Sequence, residues 1–207
     1  MSINKDTKIF CSFSSNPGNN GCNFFNKKFK ENKVNAIYKS FYSDNIEASV
    51  NAVKTLDIKG FAVSMPFKKE ILNHVNEVSN EVLYIGAANT ITNKDGYLKA
   101  YNTDYLGVLK YLKTYIELNR VSRLAILGNG GFSKAVQYVC VLLDLPFKIV
   151  ERKDWDIVNN LEGAVFNCTP IEVKVKGSLI DARPYTLVGK EIAKFQAEQQ
   201  FKIYMND

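Results

Sequence analysis

Between Leu124 and Val139 the chain passes from four apolar residues, through Gly128, Asn129, Gly130 and Gly131, into a stretch with Ala135, Val136 and Val139 at helical spacing. No other segment restricts the fold as much. A strand that turns through glycines into a helix calls for a parallel partner strand, because the helix carries the chain back along the sheet. The apolar run Phe147 to Val150 is that partner. Glycines suit such a turn for a second reason, since bare backbone at a helix N-terminus admits the close approach of a diphosphate. The GxGxxG signature is incomplete, with Ser133 where Gly or Ala belongs. On these residues alone a dinucleotide site and a purely structural turn are equally admissible. Glu151, past the second strand, suits ribose hydroxyls, and Arg152 beside it suits a 2′-phosphate, so the NAD and NADP patterns are both present.

The same alternation of short β-branched or aromatic runs with amphipathic stretches begins near the N-terminus and predicts an α/β fold with a mainly parallel sheet. Strands are expected at Lys8 to Phe13, Asn35 to Phe41, Gly60 to Ser64, Ala87 to Thr92, Tyr97 to Tyr101 and Arg123 to Leu127. An Asn/Gly/Pro-rich loop, Ser14 to Asn20, follows the first. The segment from Asp44 reads as a helix with Asp44 as its cap and Ile46, Val50, Val53 and Leu56 on its inner face. A long helix spans Thr103 to about Leu118, and a domain junction falls in it or just after it.

At 46% apolar and 23% charged residues, the composition is that of a globular protein with a packed core. The formal charge of +6 is spread among acids and forms no block, which argues against a nucleic-acid partner. Cysteines at 11, 22, 140 and 168 make no CxxC pair and no disulfide framework, so reduced thiols in a cytoplasmic protein without a cysteine-bound metal are expected. No signal peptide and no membrane span is legible.

Three polar signatures stand at expected strand ends: SMPFK with Lys68, AANT with Asn89 and YNTD with Asp104. Ligands of open α/β sheets gather beyond the carboxyl ends of strands, and a Lys/Asp pair there can relay a proton to or from an alcohol oxygen. Taken singly, Lys68 is better read as a solvated lysine and Asp104 as an acid on a helix dipole. His74, in KKEILNHV, is read as a helix-face residue, and Trp155 as packing.

In order along the chain these segments resemble the shikimate dehydrogenase family, in particular its divergent shikimate dehydrogenase-like branch. The matching stretches are Ser64 to Lys68, Gly86 to Thr90, Asn102-Thr103-Asp104 with Gly107, Gly128 to Ser133, Asn167 to Pro170, and Gly189 with Gln196-Ala197 and Phe201. The resemblance implies a substrate-binding domain over residues 1–104, a reduced Rossmann-like nucleotide-binding domain over 105–187 and a C-terminal helix, 188–207, returning to the first domain. It further implies catalysis by Lys68 and Asp104, and substrate hydroxyls held by Asn89 and Gln196. The implied cofactor is NADP, with NAD as the alternative, bound by Gly128, Asn129, Gly130, Gly131, Phe132, Arg152 and Thr169. The substrate would be shikimate or a related cyclic hydroxy acid such as quinate.

Two departures stand out. The family's carboxylate-binding serine pair falls on Asn19 and Gly21, with Asn26 matching the final Asn, so Ser12, Ser14 or Asn19 must substitute. Only residues 152–163 separate Glu151 from Ala164, barely enough for a parallel crossover, and Pro170 to Gly189 is short as well. Tyr185 has no secure family counterpart. Beside the NADP-dependent dehydrogenase stand two further readings: a protein that keeps the substrate cleft without efficient turnover, and a paralogue that senses a metabolite or partners another chain.

Overall fold

Strand β1 (Lys8–Ser14) pairs in parallel with β2 (Ala36–Tyr42) on one side and with β3 (Gly60–Val63) on the other. In the computed structural model, which describes residues 3–206, these strands belong to a unit that runs to Thr103 and resumes at Ala197. Its six-stranded sheet has the order β2-β1-β3-β5-β6-β4. Here β5 (Thr90–Lys94) runs antiparallel to β3 and to β6 (Tyr97–Tyr101), and the short β4 (Glu77–Val78) runs parallel to β6. Successive strand residues point to opposite faces. Cys11, Phe13, Phe61, Val63, Leu98 and Ala100 therefore share one core with Ile46, Val50 and Val53 of α2 (Ile46–Thr55). Phe10, facing the other way, packs with Phe25 and Phe29 of α1 (Asn20–Glu31) and with Tyr204.

Helix α1 lies in a stretch to which the sequence reading assigns no element. Its signal is the pair Phe25 and Phe29, four residues apart, both buried. Two details of α2 also differ from expectation. Its cap is Asn45 and not Asp44, because the Asn45 side chain accepts the Ala48 N–H at 2.9 Å. Leu56 is 64% exposed, because the helix has ended at Thr55 and Asp57 takes a positive φ of 49° to turn the chain. Between β3 and β5 lie a 3₁₀ turn, Glu70–His74, and the short helix α3 (Asn80–Ile85). His74 is the last residue of that turn.

The second unit, Asp104–Gln196, opens with α4 (Asp104–Asn119). Its four strands are β7 (Leu124–Leu127), β8 (Phe147–Val150), β9 (Ala164–Asn167) and β10 (Ser178–Asp181), all parallel in the order β10-β9-β7-β8. Between β7 and β8 runs α5 (Gly131–Leu142). One face of the sheet, with Leu124, Ile126, Phe166 and Ile180, is covered by α4, α5 and the start of α6 (Leu187–Asn206). Gly107 makes the α4–α6 approach possible, since a Cβ there would stand 2.5 Å from the Ile192 carbonyl oxygen. The opposite face is thinner. The β8-to-β9 connection is a 3₁₀ stretch, Arg152–Asn160, kinked at Asp154, and residues 168–177 between β9 and β10 hold no helix. Val158, Leu161 and Val173 alone shield Ala125, Leu127 and Val165 there, with partly buried Trp155, Val175 and Leu179 beside them. Helix α6 contributes to both units, with Ile192 in the second core and Tyr204 in the first. Among the described residues no helix is long and apolar enough to cross a membrane, and all four cysteines are free.

Candidate active site

In the first unit, the carboxyl ends of β1, β3 and β6 and the start of β5 lie along one edge of the sheet. Backbone bonds tie them together. Ser64 N–H donates to Phe13 and Ser15 N–H to Met65, and the Lys68 carbonyl accepts Ala88 N–H at 2.7 Å. Asn89 is the hub. Its carbonyl accepts Val63 N–H and its own N–H donates to Tyr101. Its Oδ1 accepts from Thr103 N–H at 2.8 Å and from the Thr90 hydroxyl at 2.9 Å, while Nδ2 donates to Thr103 Oγ1 at 3.0 Å. Asn102 Nδ2 closes the network on the Ala87 carbonyl. All four side chains, Asn89, Thr90, Asn102 and Thr103, are buried, so losing one would leave polar partners unsatisfied at about 1–3 kcal/mol each.

The network sets the backbone around Lys68, which is half-buried at the start of the segment after β3. Ser14 is buried at the end of β1, and its carbonyl accepts Ser43 N–H. Asn19, by contrast, is exposed at the N-terminus of α1 and makes no side-chain capping bond. Asn26 has a structural duty: Oδ1 accepts Tyr38 N–H at 2.8 Å and Nδ2 donates to the Tyr38 carbonyl at 2.9 Å. With Cys22 Sγ accepting Ser40 N–H, helix α1 thereby occupies the outer edge of β2, a device that blunts an open sheet edge. Thr90, Asn102 and Thr103 were not singled out by sequence reasoning, although they adjoin Asn89 and Asp104 in the two motifs.

In the second unit, Asp104 is the first residue of α4 and is 6% exposed, so a carboxylate there meets the positive end of the helix dipole. Gln196 is half-buried on α6, its Cβ near Gly107. The glycine turn sits where the chain leaves β7, between β8 on one side and β9 on the other. That is the switch point of the sheet, where α/β folds gather ligands. Gly128 needs to be glycine twice over: its φ is +91°, and a Cβ would stand 2.9 Å from the Thr169 methyl. Thr169 is positioned by Asn167, whose Oδ1 accepts both its N–H and its hydroxyl. Ser133 donates to the Gly128 carbonyl at 2.7 Å, which accounts for a serine at that place in the turn.

Gly130 caps α5 with no atom within 4 Å of where its Cβ would be, and the first turn of α5 carries no acid. This open, cationic helix end fits a diphosphate. Two of the expected contacts are engaged elsewhere. Phe132, partly buried, packs against Phe166 at 6.3 Å, and Asn129 donates to Glu151 at 2.6 Å. Arg152 is exposed. Burial pushes the Cys168 thiol up, which favours its protonated form. A second network holds the corner before α6: Arg183 reaches Asp181 through Nε and Nη2, and Nη1 donates to the Tyr185 hydroxyl at 2.7 Å. The bond from Asp181 holds the guanidinium still further toward its charged form.

A small parallel sheet that turns through glycines into α5, joined to a larger mixed sheet, defines a Rossmann-type α/β protein. Residues 21–91 match the model of the shikimate dehydrogenase substrate binding domain. The chain is 40% identical over 134 residues to the shikimate dehydrogenase-like protein of Haemophilus influenzae, a match covering 65% of this chain and 49% of that one. It is 36% identical over 139 residues to the shikimate dehydrogenase (NADP(+)) of Pyrococcus furiosus, covering 66% and 51%. The solved structure of a shikimate 5-dehydrogenase-like protein superposes with a TM-score of 0.80 at 28% identity, covering 100% of this chain and 94% of that chain. These matches support the shikimate dehydrogenase family for this chain. The chain spans about half the length of the curated relatives it matches.

Proposed function

We propose that the protein is a shikimate dehydrogenase-like oxidoreductase that interconverts shikimate and 3-dehydroshikimate with NADP(H). The observation that carries this reading is the buried Asn89 network. It joins the Lys68 backbone, the start of β5 and the Asn102-Thr103 step that leads into Asp104, which are the places the family motifs occupy. The nicotinamide ring of NADP, when bound, accepts or returns the hydride. Oxidation of an alcohol also releases the hydroxyl proton, and Lys68 is the group assigned to take it and to give it back in reduction. Asp104 is the group assigned to accept from a substrate hydroxyl. Asn89 and Gln196 hold further hydroxyls, and Ser14 is the better placed of the carboxylate candidates because it is fixed at a strand end. Gly128 to Gly131 would receive the diphosphate, with Thr169 behind the turn and Arg152 toward the 2′-phosphate.

The thin second unit favours one alternative, a paralogue that binds a shikimate- or quinate-like ligand without efficient turnover. Purified protein with shikimate and either NADP or NAD, followed by reduced-nicotinamide absorbance, separates the two. Turnover that falls about 10²–10⁴-fold in Lys68→Ala is the expected result. Absence of turnover with both cofactors, together with calorimetric binding of shikimate, would establish the alternative.

A further inference from the structure

The first unit carries a groove of about 410 Å³ that no residue of the proposed active site lines. It lies at the opposite edge of the sheet from Lys68, at the amino end of β3, and its origin is strand register. Phe10, Gly60, Thr92 and Lys99 form one row across β1, β3, β5 and β6. Period-two alternation puts Lys8, Lys94 and Tyr97 on the same face as that row. Tyr204 covers the Gly60 position, where a Cβ would stand 2.7 Å from its ring, and α6 ends two residues later at Asn206. Among the described residues, the groove lies over the face of β5 and β6 beside Tyr204.

Because β1 and β3 are parallel while β5 is antiparallel to β3, the starts of β1, β3 and β6 and the end of β5 meet at this edge. Each brings a lysine: Lys8, Lys59, Lys99 and Lys94. Two of the four are held in place, Lys59 by Asp57 at 2.6 Å and Lys99 by Glu77 at 2.7 Å. Lys8 and Lys94 have no carboxylate within ion-pair distance among the described residues, and the only acid lining the groove is Asp95. Among the described residues, the carboxyl end of α6 adds roughly half a negative charge against these two ammonium groups. The floor is different in kind, formed by the exposed ring of Tyr97 and by the edges of the otherwise buried Phe10 and Tyr204 rings.

A basic rim over an aromatic floor, with a volume inside the usual range of about 300–1,000 Å³ for small-molecule sites, has a definite preference. We infer that this groove binds a small organic anion, a carboxylate or phosphate borne on a flat apolar body. The apolar body lies against Tyr97 and the edges of Phe10 and Tyr204, and the anionic group lies between Lys8 and Lys94. The inference stands apart from the proposed reaction, and its test needs no turnover.

Amide resonances of the full chain are followed by NMR during titration with phenyl phosphate, benzoate and inorganic phosphate. Saturable shifts confined to residues 8–10, 92–99 and 204–206 are expected with phenyl phosphate or benzoate, and whichever binds tighter identifies the anionic group. Lys8→Glu/Lys94→Glu changes two exposed residues and is expected to weaken binding about tenfold or more, whereas exposed Lys202→Glu on the same helix is not. Inorganic phosphate is expected to bind more weakly than either aromatic anion. No saturable shift at these residues, shifts unaltered in the double variant, or inorganic phosphate binding as tightly as phenyl phosphate would each overturn the inference.

Discussion

The two sheets of this protein solve the same problem with unequal means. The six-stranded sheet of the first unit is covered on one face by α2 and on the other by α1 and the end of α6, and its polar edge is locked by the Asn89 network. The four-stranded sheet of the second has α-helices on one face only, while a 3₁₀ stretch and a loop shield the other. What the smaller unit has is a well-built edge around the glycine turn: the β7-Gly128-α5 turn, the ends of β8 and β9 beside it, and Thr169 behind it. The turn is held by β7 and α5 together with the ends of β8 and β9, none of which depends on a helix over the far face.

If that contrast is real, truncating a large core side chain should act differently in the two units. Phe166→Ala and Phe61→Ala, both at fully buried positions, are each expected to cost about 3–5 kcal/mol. The thin unit has less to lose, so Phe166→Ala should give a urea melt in which tyrosines of the second unit unfold before those of the first. One coincident transition by fluorescence and by hydrogen exchange would break the comparison. The polar anchors provide the next test. Asn89→Ala removes a buried hub and is expected to cost about 3 kcal/mol, whereas Asn129→Ala, at an exposed position, should change stability by about 0.5 kcal/mol or less. Equal losses in chemical denaturation would show that the turn is as tightly built as the first unit's edge.

A subtler measure is thiol labelling of the native state. Burial pushes the Cys140 thiol up to about 12 and Cys11 higher still, so both remain protonated at neutral pH and react only when the structure opens. Cys140, in the second unit, should then label roughly tenfold faster than Cys11, in the first, as read by mass spectrometry of trapped peptides. Similar rates would place the two units at equal local stability. The smallest effect is expected at Arg152, which is exposed and outside both cores. Arg152→Ala should weaken NADP about tenfold and leave NAD nearly unchanged, by calorimetry; equal losses would remove Arg152 from the 2′-phosphate.

Much of the fold could be read from one dimension. The strands at Lys8, Gly60, Tyr97, Leu124 and Phe147 follow from local apolar runs, and the crossover after Glu151 is short because few residues are there to make it longer. Helix α1 escaped, because its polar residues Asn20, Lys27, Lys28 and Lys30 mask the Phe25 and Phe29 pair that only burial distinguishes. The site was legible as motifs but not as roles. Asn26 matches a family position, yet its side chain seals the edge of β2, and Phe132 stands in the glycine turn, yet it packs against the core. Both assignments depend on which way a side chain points relative to strands far away in the chain.

The glycine turn marks where the two kinds of information divide. By itself the sequence determined that the segment from Leu124 to Val139 would be strand, turn and helix, because hydrophobic period and glycine content act over neighbouring residues. It also carried the resemblance to a family, through motifs kept in order. Only the tertiary structure decided that Gly128 is required by the Thr169 methyl, that Ser133 serves the turn by bonding the Gly128 carbonyl, and that four lysines from separate strands share one groove. Those facts come from strand register and close packing, which join residues that the chain itself keeps apart.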